Sequence, residues 1–201
     1  ASDVYKRQRL GNSSLTGKKC HADKNYSSED LKLLFNECKY PLIRQSSNQL
    51  TIAFVGDSHA ESLLKAEEIL TNSGFRVIHY SHAGCPFPIP PHGINIPACN
   101  KFLKNAENEI FKDLKQGDSI VIYNYHLSHL GGQSLKDTRH NIFNRNNYIV
   151  SDSPTKIDLY MNGLNRLSKK AYKNSILIYL GQSTLQVIHS VNILHFHQLV
   201  I

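Results

Sequence analysis

Four short apolar runs, separated by stretches with helical periodicity, constrain this chain more than any other feature. The first run, residues 50–55 (LTIAFV), is rich in β-branched residues and stops at Gly56. The second is FRVIHY at residues 75–80, the third lies in GDSIVIYNY at 117–125, and the fourth is SILIYLG at 175–181. Runs this short and continuous read as strands buried on both sides. Between the first two lies ESLLKAEEILTNSG, where Leu63, Ala66 and Leu70 give a helical stripe and Gly74 a stop. NKFLKNAENEIFKDLK repeats its apolar residues at spacings of three and four, and TKIDLYMNGLNRLSKKAYKN reads as a third helix. The order strand–helix–strand–helix–strand–helix–strand predicts an α/β fold: a three-layer α/β/α sandwich around a mostly parallel, flavodoxin-like sheet.

Residues 1–49 read differently, as a linker or cap rich in Ser, Asn and Lys, with one short helix opened by a Ser27-x-x-Asp30 capping box. Residues 50–201 are then the α/β domain. Two connections are read as long loops: SHAGCPFPIPPHGINIPAC, whose five prolines disfavour regular structure, and the Asn-rich stretch running to about Pro154. No internal repeat is present.

The net charge of +7 comes from lysines and arginines scattered along the chain. Without interleaved aromatics this favours a solvated basic surface over a nucleic-acid footprint, and it suits residence beside an anionic envelope or membrane surface. No stretch approaches the roughly 20 apolar residues that span a bilayer. The chain opens on Ala1 and a polar segment, ASDVYKRQRL, with no signal peptide, so the expectation is a natural start further upstream, with an export signal or anchor there. Of the four cysteines, Cys20 and Cys38 flank the short helix and Cys85 and Cys99 flank the Pro-rich loop. An even count at these spacings favours two disulfides and an oxidising compartment over four free thiols. There is no CxxC, no clustered set of metal ligands and no sign of a cofactor.

Ligands of open α/β sheets bind beyond the carboxyl ends of the strands. Three polar signals fall there: Ser58 after the first strand, Gly84 after the second and Asn124 at the end of the third. Ser58 sits near a helix start, where unpaired N–H groups favour developing negative charge. Its own N–H, that of Gly84 and the amide of Asn124 would suit a tetrahedral oxyanion, and Gly84 lets a ligand approach closely. The simpler readings are a capping serine, a turn glycine and a strand-end asparagine.

The stretch FVGDSHAESLL resembles the first sequence block of the SGNH (GDSL-like) hydrolase superfamily. Its Gly56-Asp57-Ser58-His59-Ala60 is similar to the extracytoplasmic SGNH domain attached to bacterial membrane O-acyltransferases of acyltransferase family three. A Gly-Asp-Ser-His match arises by chance on the order of once in a thousand such chains. SHAGCPFP resembles the second block and GDSIVIYNYH the third, although its usual Gly-x-Asn-Asp form is absent. The resemblance covers about Cys20 to Gly181. It implies Ser58 as nucleophile, Gly84 and Asn124 as oxyanion donors, and Gly56, Asp57 and His59 in support, with Asp57 bracing the turn. It also implies paired cysteines as in exported domains.

The resemblance further implies an Asp-x-x-His near the C-terminus to serve as orienting acid and general base. Here His189, His195 and His197 lack an Asp three residues earlier. The one literal match, Asp137-x-x-His140, lies in the long loop after the third strand. Nine Asp and eleven His predict roughly 0.5 such matches by chance, so it reads as an accident or a loop contact. His59 is too close to Ser58 on a tight turn to serve, and His126 and His129 could line the pocket. The expectation is that the domain is incomplete at its C-terminus.

The implied activity is O-acyl transfer or ester hydrolysis on a cell-envelope glycan. It calls for an acyl donor, a polysaccharide or lipid-linked sugar acceptor, an upstream integral-membrane acyltransferase domain, a membrane-tethered periplasmic location and no nucleic acid. The alternative is a non-catalytic glycan-binding or accessory module that kept the fold and lost the base. A nucleotide-binding α/β domain is disfavoured, because the first strand–helix turn has neither Gly-x-Gly-x-x-Gly nor Gly-Lys-Ser/Thr.

Overall fold

The structure, a computed structural model, describes residues 20–23, 26–89, 97–124 and 156–182. In them six strands form one sheet: β1 (His21–Ala22), β2 (Lys39–Tyr40), β3 (Thr51–Gly56), β4 (Arg76–His82), β5 (Ser119–Asn124) and β6 (Leu177–Gln182). The helices are α1 (Ser28–Glu37), α2 (Leu64–Asn72), α3 (Pro97–Asp113) and α4 (Lys156–Lys173). Strand order is β1-β4-β3-β5-β6, with β2 also paired to β4. Every pairing is parallel except β2 with β4.

The four strands expected from the apolar runs are β3 to β6, so the α/β reading holds. β1 and β2 are additions, since two residues carry no periodicity. They share one flank of β4: β1 lies beside Ser81 and His82, β2 beside Val77 and Ile78 in the opposite direction. The segment read as a cap is thus stitched into the sheet. Between these strands α1 starts as its sequence predicts. The Ser27 N–H donates to Asp30 Oδ2 at 2.9 Å and the Asp30 N–H to Ser27 Oγ at 3.1 Å, closing the capping box. Both expected disulfides are present, Cys20–Cys38 and Cys85–Cys99.

β4 shows why helices cover both faces. Its side chains alternate, and all seven residues are buried. On one face Tyr80 meets Phe35 of α1 edge-on at 4.9 Å and donates its hydroxyl to the Phe35 carbonyl at 2.9 Å, while His82 packs on Phe102 of α3 at 5.3 Å. On the other face His79 and Ser81 lie under α2, reached by Glu67.

The end of the sheet where the strands begin is held by charge. Asp118 is fully buried and accepts from the Thr51 N–H at 2.7 Å and the Lys115 N–H at 2.8 Å, while pairing with Arg44 at 2.7 Å. Arg44 also donates to the carbonyls of Gln49 and Asp113. Beside it Arg76 pairs with Asp113 at 3.2 Å and donates to the carbonyls of Pro41 and Leu42. These bonds tie the β2–β3 connection to the sheet, leaving the opposite end, where the strands finish, for the candidate site.

Candidate active site

The Ser58 corner follows from close packing of β3 on β5. A Cβ on Gly56 would collide with the carbonyl oxygen of Tyr123, so only glycine fits where β3 ends. Asp57 then caps a six-residue 3₁₀ turn, Ser58–Leu63, which runs into α2. Its Oδ1 accepts from the His59 N–H at 2.8 Å and meets His59 Nδ1 at 3.2 Å. The Ala60 N–H donates to the Asp57 carbonyl at 3.1 Å, the i→i+3 bond of that turn. The helix predicted from Glu61 therefore begins only at Leu64, its first three residues belonging to this tighter turn. The cap is Asp57, so Ser58 is not spent on capping. Its side chain is exposed on the first residue of the turn, and among the described residues none holds its hydroxyl.

Asn124, fully buried at the end of β5, reaches across to this corner. Its Oδ1 accepts from the Asp57 N–H at 3.1 Å and the Phe87 N–H at 3.3 Å, and its Nδ2 donates to the Phe87 carbonyl at 2.6 Å. It also hydrogen-bonds the phenol of Tyr160 on α4; burial raises that phenol's pKa, and the Asn124 bond opposes the rise. One amide thus ties the Ser58 corner to the segment after β4. That segment carries Gly84, whose φ of 64° lies in the left-handed region. It is held twice more: by Cys85–Cys99, which anchors it to α3, and by Gly163 of α4, where a Cβ would collide with the Pro88 carbonyl. The ends of β3, β4 and β5 are therefore linked around Ser58, Gly84 and Asn124. The Asn124 amide itself is engaged with the Phe87 backbone and Tyr160.

None of the described histidines hydrogen-bonds Ser58. His59 meets Asp57, His82 Nδ1 lies 2.9 Å from the Ala83 carbonyl, and His21 and His79 both contact Ser81. Asp137, His140, His126, His129, His189, His195 and His197 lie outside the described residues.

A second row of polar groups went unread in the sequence. Glu67 Oε1 lies 2.7 Å from His79 Nδ1, His79 Nε2 lies 3.0 Å from Ser81 Oγ, and Ser81 Oγ lies 2.9 Å from His21 Nδ1. The order carboxylate–imidazole–hydroxyl resembles a serine-hydrolase relay, but Ser81 is fully buried, so the row links α2, β4 and β1 rather than facing a substrate. Burial works against charge on His79, yet the adjacent Glu67 carboxylate, by charge and hydrogen bond, raises its pKa. Burial lowers that of His21, against the pull of Glu61. The available signal was His79 and Ser81 at alternate positions of one strand, with Glu67 on the buried face of the preceding helix α2.

A family model described as "SGNH domain (fused to AT3 domains)" matches residues 19–188. No curated protein matches the sequence. Among solved structures, the chain is similar to the periplasmic domain of the lipopolysaccharide acetyltransferase of Salmonella ser. Paratyphi A, at 16% identity and a TM-score of 0.49. The match covers 90% of this chain and 59% of that one. Among the described residues no helix is long and apolar enough to cross a membrane.

Proposed function

Because this chain belongs to the family of SGNH domains fused to AT3 domains, we propose that it performs O-acyl transfer or acyl-ester hydrolysis on cell-envelope glycans through Ser58. The observation that carries the reading is the Ser58 corner: an exposed hydroxyl, relieved of capping by Asp57, on a turn that Asn124 fixes against the Gly84 segment. In this reading Ser58 Oγ attacks the carbonyl carbon of an acyl donor and its proton passes to a general base. The leaving group departs protonated, and the acyl group then moves to a sugar hydroxyl or to water. The N–H groups of Ser58 and Gly84 would meet the oxyanion. Asn124 would serve as a third donor only by giving up one of its present partners; otherwise it holds the other two in place.

The donor would arrive from an upstream integral-membrane acyltransferase domain, and the acceptor would be an envelope polysaccharide or a lipid-linked sugar. The domain would then work outside the cytoplasm, in the periplasm, tethered to the membrane. The base is to be sought beyond the described residues, and Asp137 and His140 are the first pair to substitute. The test is labelling by a serine-directed fluorophosphonate: covalent modification of the wild type, and none of Ser58→Ala. One observation favours the second reading, a glycan-binding accessory module: no described histidine reaches Ser58. An unlabelled wild-type chain that still binds envelope glycan would establish it.

A further inference from the structure

α3 and α4 lie side by side, joined where Arg166 pairs with Glu107 at 2.5 Å and Lys170 sits 4.3 Å over the Phe111 ring. Their outward residues recur at helical spacing. α3 exposes Lys101, Lys104, Asn105, Asn108 and Lys112, and α4 exposes Asn162, Asn165, Arg166, Lys169, Tyr172 and Lys173. The acids of α3 that could offset this charge are already paired. Glu107 takes Arg166 and Lys170, Glu109 takes Lys39 and Lys112, and Asp113 takes Lys39 and Arg76. Asp158, in the first turn of α4, is the exposed acid of the pair. Among the described residues no carboxylate pairs with Lys104, Lys169 or Lys173. Tyr172, 83% exposed, stands between the last two. The helix on the other side of the sheet carries no such row of cations: on α2 Lys65 pairs with Glu68 at 2.8 Å and Glu67 is buried against His79, with half-buried Glu61 just before the helix.

We propose that the outer face of α3 and α4 is a docking surface for an anionic lipid membrane. Lysines on flexible stems reach headgroup phosphates without ordered pockets, and a basic helical face with an exposed tyrosine suits the interface between water and headgroups. The helix opposite offers no comparable row of cations, so the charge distribution sets which side lies down. The charge is spread along the exposed positions of both helices, which favours a broad anionic surface over a single polyanion strand. The proposal does not depend on chemistry at Ser58.

Vesicle co-sedimentation of the full 201-residue chain tests it, using phosphatidylcholine alone and phosphatidylcholine with about 30% phosphatidylglycerol, at low and raised salt. The expected result is binding to the anionic vesicles only, weakened by salt. The double variant K104E/K169E should bind at least about tenfold more weakly. The control K65E/N72E, at exposed positions of α2 on the other side of the sheet, should bind nearly as well as wild type, with unchanged thermal melts for both. Equal losses in the two variants would reduce the effect to net charge and overturn the proposal. So would equal binding to neutral vesicles, or binding to soluble dextran sulfate without binding to anionic vesicles, which would reassign the face to a polysaccharide.

Discussion

Asn124 serves Asp57, Phe87 and Tyr160 with one amide, so its loss is felt in three places. Asn124→Ala leaves the Asp57 N–H and both backbone groups of Phe87 without their partner in a buried site. A buried polar group left unsatisfied costs about 1–3 kcal/mol, so the expected destabilisation is about 2–4 kcal/mol, read from urea unfolding. Fluorophosphonate labelling of the molecules that remain folded should slow by a larger factor than stability alone explains, because the corner and the Gly84 segment lose their common tie. The residues named in this cluster were legible one at a time: Ser58 and Gly84 from turn position, Asn124 from the strand end. What could not be read was that the Asn124 amide is occupied. Its partners, Phe87 and Tyr160, are tens of residues away in either direction, and no local pattern announces them.

At the scale of elements, β4 pairs with β1, β2 and β3, and its His79 and His82, with His21 of the adjoining β1, give this part of the sheet a pH response with two opposing parts. His79 has a raised pKa, so the folded state holds its proton more tightly than the unfolded chain. Its contribution is complete below the ordinary value of 6.5 and is lost as pH rises through the folded value. His21 and His82 have lowered values, chiefly through burial. Their effect falls on the other side, costing stability as pH drops below 6.5. Denaturant midpoints measured across this range should therefore pass through a maximum near neutrality. In Glu67→Gln the decline on the alkaline side should flatten and the acid side should steepen, because burial then works against charge on His79 with no adjacent Glu67 carboxylate to oppose it. A midpoint that falls equally steeply on the alkaline side in Glu67→Gln would show that the Glu67–His79 pair is not its source. The elements themselves were readable from apolar runs of five or six residues and helical stripes. The two-residue strands β1 and β2 were not, because pairing with β4 is all that defines them.

Across the whole molecule, the two ends of the sheet do different work. Where the strands begin, Asp118 is buried and answered by Arg44. Removing one partner of such a pair leaves an uncompensated buried charge, at a cost of about 3–5 kcal/mol. Arg44→Ala should therefore lower the unfolding midpoint sharply while leaving the labelling rate of the folded fraction at Ser58 unchanged. Pulse labelling below the melting temperature separates the two. The hub at Asp118 gathers Arg44, Thr51 and Lys115, and only the fold brings these together.

The Cys20–Cys38 bond has a mechanical consequence. Cys20 directly precedes β1 and Cys38 directly precedes β2, and these strands lie end to end along one flank of β4, running in opposite directions. A pull on the chain at Cys20 cannot peel β1 away alone, since the disulfide passes the load to β2 and on to the middle of β4. With β1 alone, two residues of pairing would resist the force. With the bond in place, the force is shared between two strands gripping β4 at different heights, so a domain tugged from its N-terminal side would hold its Ser58 corner in register under tension.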